Sequence, residues 1–247
     1  MDKWTELKIT KSHDPYCERL KEDVQRLERY AKPIDVSSFE KIIKTAAYSE
    51  FSSGGHSLPR GYYCPSPIRD LIIGNCNRGK ILKSVSGGTS ISYQYFFNAA
   101  HQLSAVKKFP DDTEQDLYEY EIIRYVDNTS VGLGFTNYGL NSLSECIYRG
   151  NQIQSYCNGL YEFPSCRIQE LEKECYQYEN NRLISADMYV FIPSIGYLSR
   201  MSYHFIHDSE GCISAYQSVS YIDGMENKND YWRDHVFQIP MKARRKL

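Results

Sequence analysis

Two octets in this chain align without a gap: Tyr148–Ser155 reads YRGNQIQS and Tyr178–Ser185 reads YENNRLIS. Gly150-Asn151 and Asn180-Asn181 stand at their centres, and both pairs tolerate the positive φ that a two-residue type I′ turn demands. A chain reversing at those points sets Tyr148 opposite Ile153 and Tyr178 opposite Leu183, an aromatic–aliphatic cross-strand pair each time. It also brings Glu179 to face Arg182. No other feature limits the fold as much, because tight reversals of this kind require antiparallel strands.

Looser copies flank the pair. YQYFFNAAHQLSAV (Tyr93–Val106), YEYEIIRYVDNTSVGLGF (Tyr118–Phe135) and YHFIHDSEGCISAY (Tyr203–Tyr216) share its tyrosines or its Leu/Ile-Ser-Ala ending. The turn centres, near residues 98, 127, 151, 181 and 210, are separated by roughly 24 to 30 residues, a period that predicts consecutive hairpins in one meander.

The start of the chain has a different rhythm. Asp14-Pro15 suits a helix cap and first position, and Cys17, Leu20, Val24, Leu27 and Ala31 follow at three- and four-residue steps until Pro33. Ser37-Ser38-Phe39-Glu40 fits a capping box, with Phe39, Ile42, Ile43, Ala46 and Ala47 as the apolar stripe of a second helix. The expected fold class is therefore mainly β (α+β), an antiparallel hairpin or meander sheet with two N-terminal helices. Residues 1–51 form the helical segment, 52–67 a Gly/Pro/Ser-rich loop and 68–247 the β domain, all in one structural unit.

The loop, SSGGHSLPRGYYCPSP, has no hydrophobic period. Long loops in compact domains are functional or mobile. His56, Arg60, Tyr62 and Tyr63 make it the first candidate for a binding or lid segment, with a plain connector as the alternative.

Just beyond it, GNCNRGK (Gly74–Lys80) looks like most of a phosphate-binding loop. Such a loop must open into a helix and place a hydroxyl after its lysine. Here Ile81 follows Lys80, and the runs 81–86 and 89–93 around Gly87-Gly88 read as strands. The stretch reads as a hairpin tip.

Tyr176–Ser185, YQYENNRLIS, resembles the tyrosine–aspartate hairpin repeats of bacterial Rhs-type proteins, with Glu179 in place of the aspartate and a turn one residue shorter that lacks glycine. About ten residues match well. Members of that family build long sheets that wrap a toxin. The resemblance implies a hairpin sheet and, by context, an immunity- or antitoxin-like role; a chain this short cannot form the shell.

Catalytic signatures are absent from the sequence. No cysteine pair is spaced C-x-x-C, so no zinc box exists, and no glycine-rich cofactor fingerprint or nucleophile elbow occurs. Neither metal nor cofactor is expected. His204 and His207, three apart on a strand, point to opposite faces, and His207–Gly211 reads as a polar turn. Cys64 with His56 is a conceivable nucleophile and base. Glu172 and Glu174 share a strand face and read as solvated edge charge, as does Asp111-Asp112.

The net charge of −2 gives nucleic acid no general attraction, and the basic tail KARRKL at 242–247 reads as a frayed terminus. No window resembles a membrane span or a signal core, so a cytoplasmic protein with reduced thiols is expected. The 22 tyrosines against 2 tryptophans favour strands and binding surfaces. The leading expectation is a non-catalytic bacterial protein that binds another protein through its loops and a Tyr-rich sheet face, with Tyr148, Tyr176 and Tyr178 at the contact. Self-association is left open. An enzyme of hydrolase type around the 52–67 loop and a carbohydrate-binding module are the alternatives.

Overall fold

The structure, a computed structural model, describes residues 14–73, 78–86, 90–110, 118–162, 165–228 and 235–241. Two helices open it, α1 (Tyr16–Glu28) and α2 (Val36–Ile43). The strands follow: β1 (Tyr48–Ser53), β2 (Lys80–Ile81), β3 (Tyr93–Phe97), β4 (Leu103–Lys108), β5 (Glu119–Val126), β6 (Thr129–Thr136) and β7 (Gly139–Arg149). After them come β8 (Gln152–Glu162), β9 (Arg167–Glu179), β10 (Arg182–Ile192), β11 (Tyr197–His207), β12 (Ile213–Ile222), β13 (Met225–Glu226) and β14 (Val236–Gln238). They form one antiparallel sheet in which β3 to β13 run in sequence order.

Both octets are hairpin tips with the expected partners: Tyr148 faces Ile153, Tyr178 faces Leu183 and Glu179 faces Arg182. Asn180 and Asn181 take φ of 49° and 62°, as a type I′ turn requires. At the first tip only Gly150 is positive, at 61°, which is the pattern of the II′ relative. The turns expected near 98, 127 and 210 also join consecutive strands.

Several local expectations are corrected. The cap of α2 is Asp35, whose carboxylate accepts from the Ser38 amide, so the helix begins one residue before Ser37. It ends at Ile43, and Tyr48–Ser53 is strand β1, which separates β2 from β3. The runs after Lys80 and up to Tyr93 are therefore not partners of one another; each pairs with β1. Residues 74–77, 87–89, 111–117 and 242–247 lie outside the described residues, so most of the GNCNRGK stretch, the Gly-Gly turn, Asp111-Asp112 and the basic tail do too. The chain leaves Gly79, at φ 78°, as strand β2.

Each face of the sheet is covered differently. Helix α1 buries Cys17, Leu20, Val24 and Leu27, and α2 buries Phe39, against a layer that includes Phe135, Leu143, Leu171 and Phe191. Tyr16 stacks on Tyr189 with ring centroids 4.3 Å apart. Asp23 is buried in this layer with Lys173 and Arg26 as ion-pair partners. On the opposite face lie Ile68 and Leu71, packed with Tyr156, Tyr176, Leu183 and Tyr203. The segment 54–73 thus runs as a strap across the sheet. Among the described residues no helix is long and apolar enough to cross a membrane.

Candidate functional site

The strap is fastened by charge. Arg60 takes a left-handed φ of 58° and is 8 % exposed. Its Nε donates to Glu121 at 2.9 Å, and its Nη2 donates to Glu121 at 2.7 Å and to the Ser144 hydroxyl at 3.1 Å. Burial works against the guanidinium charge, but the Glu121 carboxylate overcomes it and holds the Arg60 pKa above its ordinary value. Room for the pair comes from Gly132 on β6, where an added Cβ would collide with Glu121, Ser144 and Arg60. At the far end, Arg69 pairs with Glu172 and Glu174, and the Ser66 hydroxyl donates to Glu174 at 2.5 Å. The Tyr176 hydroxyl donates to the same carboxylate. Glu174 is fully buried, and that burial raises its pKa against the donors that favour its charge.

Glu172 and Glu174 do share a strand face, but they are clamps for the strap in mid-sheet and not solvated edge charge. The reason is cross-strand register: Tyr156 faces Glu174 and Asn158 faces Glu172, both far from either sheet edge.

Between strap and sheet a cleft of about 270 Å³ remains. Its floor is set by register. Lys108 faces Glu119, Val106 faces Glu121, Glu121 faces Gly134, and Gly134 faces Ser142. The next row across runs Gly132, Ser144 and Asn158. The strap supplies the roof with His56, Leu58, Pro59 and Arg60, and Tyr93 closes one side. Lys108 and Glu119 pair at 2.8 Å within it. Gly61, at φ 51°, lets the strap turn down onto Tyr93, whose ring would meet any Cβ there at 2.5 Å.

The sequence candidates separate into groups. His56 and Arg60 both line the cleft. Tyr62 is 37 % exposed on the strap, and its amide donates to the Tyr95 hydroxyl at 3.0 Å. Tyr63 points elsewhere, donating to Glu50 at 2.5 Å. Tyr148, Tyr176 and Tyr178 belong to the cluster under the strap's distal half. Tyr176 is buried there, so it is not an open contact surface. Tyr148 and Tyr178 are half-buried, and burial pushes the Tyr178 phenol up to about 12.

Cys64 is not poised as a nucleophile. Its thiol is buried, lies 3.7 Å from the Ser66 carbonyl, and is pushed up to about 11 by that burial. Cys146, also buried, is pushed up to about 11. His207–Gly211 is the expected polar turn, with the Asp208 carboxylate accepting from the Glu210 and Cys212 amides. Among the described residues no group of three His, Cys, Asp or Glu side chains could hold a metal.

Sequence reading missed Glu121, Asn141, Ser142, Tyr156 and Asn158. Each lies on a strand, and only cross-strand register places it at the cleft. No protein-family model matches the chain, and no curated protein matches it.

Proposed function

We propose that this chain is a non-catalytic binding protein whose partner is another protein. The observation that carries the reading is a groove on the strap face at the β10–β12 end of the sheet. Cross-strand register lines up Met188 with Met201, Val190 with Ser199, and Ser199 with Ile222. The groove they line measures about 340 Å³. Ile222 is 44 % exposed, and Met225, paired with it, is 72 % exposed.

Met188, Val190 and Met201 are half-buried and Ile222 is exposed, and apolar surface gathered in one groove is costly in water unless something covers it. Methionines make it adaptable, because their unbranched side chains repack around a partner. The strap's Ile68 and Leu71 pack with Tyr176, Leu183 and Tyr203, and Met188 and Met201 lie half-buried against that cluster. The partner contact thus moves from Tyr176, which the strap covers, to the adjacent rows of the same face.

The test is a stable one-to-one complex isolated with the wild-type chain and then challenged with Ile222→Glu and Val190→Glu. The proposal expects the complex to be lost while the unfolding midpoint stays within a few degrees. A complex that survives both changes, or turnover in hydrolase and transferase assays, overturns it. Light scattering on the chain alone separates this from self-association: a dimer broken by Ile222→Glu also overturns it.

A further inference from the structure

The cleft between strap and sheet carries an inference separate from the partner groove. Its cations are already matched: Arg60 pairs with Glu121 and Lys108 with Glu119 inside the cleft, and Arg69 pairs with Glu172 and Glu174, which lie beyond its lining. An anion entering would have to break one of these pairs, while a cation would compete with the guanidinium and ammonium groups already at the carboxylates. The site does not select for charge.

What it leaves unused is neutral. The side chains of Asn141, Ser142, Tyr156 and Asn158 line the cleft, and none forms a hydrogen bond with another described residue. Tyr156 is 2 % exposed. Its hydroxyl is not among the buried polar atoms left without a partner, so it keeps access to the cleft that Tyr156 lines and is open to a ligand there. Amides and hydroxyls both donate and accept, and so do the hydroxyls of a polyol. The remaining wall, Leu58, Pro59 and Val106, is apolar and suits the C–H face of a saturated ring. At about 270 Å³ the cleft has the volume of about nine water molecules, room for one such ring.

We propose that the cleft under residues 56–60 is a binding site for a neutral, polyhydroxylated ring, a single sugar residue or cyclic polyol, held by Asn141, Ser142, Tyr156 and Asn158.

The test uses the full chain and titrates D-glucose, D-galactose, N-acetyl-D-glucosamine and myo-inositol by saturation-transfer NMR and calorimetry. D-Glucuronate and D-glucose 6-phosphate serve as charged comparators. We expect at least one neutral probe to bind saturably with Kd on the order of 1 mM or tighter, and the charged comparators to bind at least about tenfold more weakly. Asn158→Ala and Asn141→Ala should each weaken that binding by about tenfold, the effect of one lost hydrogen bond. Either variant decides the point if it keeps the wild-type unfolding midpoint; both positions are only half-buried. The proposal fails if no neutral probe saturates below about 10 mM. It also fails if the charged comparators bind as well, or if both variants bind like wild type.

Discussion

Arg60 and Glu121, 61 residues apart in sequence, meet in a two-point ion pair at 2.9 and 2.7 Å that ties the strap to the sheet. Removing one member of such a pair strands the other's charge away from full hydration. Arg60→Met should therefore cost about 3 kcal/mol of unfolding free energy in urea. Arg60→Met with Glu121→Leu should recover much of the loss, because no charge is then left uncompensated. A double variant no more stable than the single one would show that the strap is held by its apolar contacts alone.

Glu174 gives a pH signature. Its pKa is raised above the ordinary 4.5 by burial, so the folded state holds the proton more tightly than the unfolded chain does. By linkage, this group's contribution is greatest below pH 4.5 and is lost as pH rises through the raised folded value. The stability of wild type relative to Glu174→Gln should fall across that window. A difference independent of pH, measured by denaturation at several pH values, would contradict the burial of this carboxylate.

The second hairpin tip can be tested directly. Asn180 and Asn181 both sit at positive φ, where a β-branched residue is disfavoured by about 1–2 kcal/mol. Asn181→Val should lower stability by that amount. Asn181→Gly should hold or raise it, since Asn-Gly is the preferred type I′ pair. Thermal unfolding of both variants settles the matter.

Thiol reactivity should follow burial. Cys166 is exposed, whereas Cys64 and Cys146 are buried and each pushed up to about 11. Iodoacetamide at pH 8, followed by peptide mapping, should label Cys166 in the folded chain and leave Cys64 and Cys146 intact until denaturant is added. Early labelling at Cys64 would mean that the strap opens readily.

What could be read from the sequence was local. The tips at 150–151 and 180–181 announce themselves because asparagine and glycine answer a backbone need within two residues, and α1 buries the expected Cys17, Leu20, Val24 and Leu27 but ends at Glu28, before Ala31. Ala186 shows where that logic stops. Strict alternation places it opposite Tyr176's face, but the register shift between Leu183 and Ser185 brings it opposite Tyr176 and into the same cluster. Nothing in the local residues marks that bulge. Strand β1 was hidden for a related reason: Tyr48–Ser53 continues a helical apolar pattern, and its partner β3 lies more than forty residues on. The turns on the other side of the sheet, such as those carrying Gly139 at φ 113°, Cys166 at 56° and Gly196 at 69°, lack a paired Asn/Gly signal. The buried charges were the least legible, because Glu174 and Glu121 look like surface residues until Arg69 and Arg60 arrive from the strap.

The central claim is that residues 54–73 are a fixed part of the fold, clamped across the sheet by Arg60 and Arg69. Hydrogen exchange read by mass spectrometry tests it most directly. Peptides covering 58–71 should exchange as slowly as those from β8 and β9, and Arg60→Met should speed the strap selectively. Complete exchange of the strap at the first time point, with β8 and β9 still protected, would contradict the account.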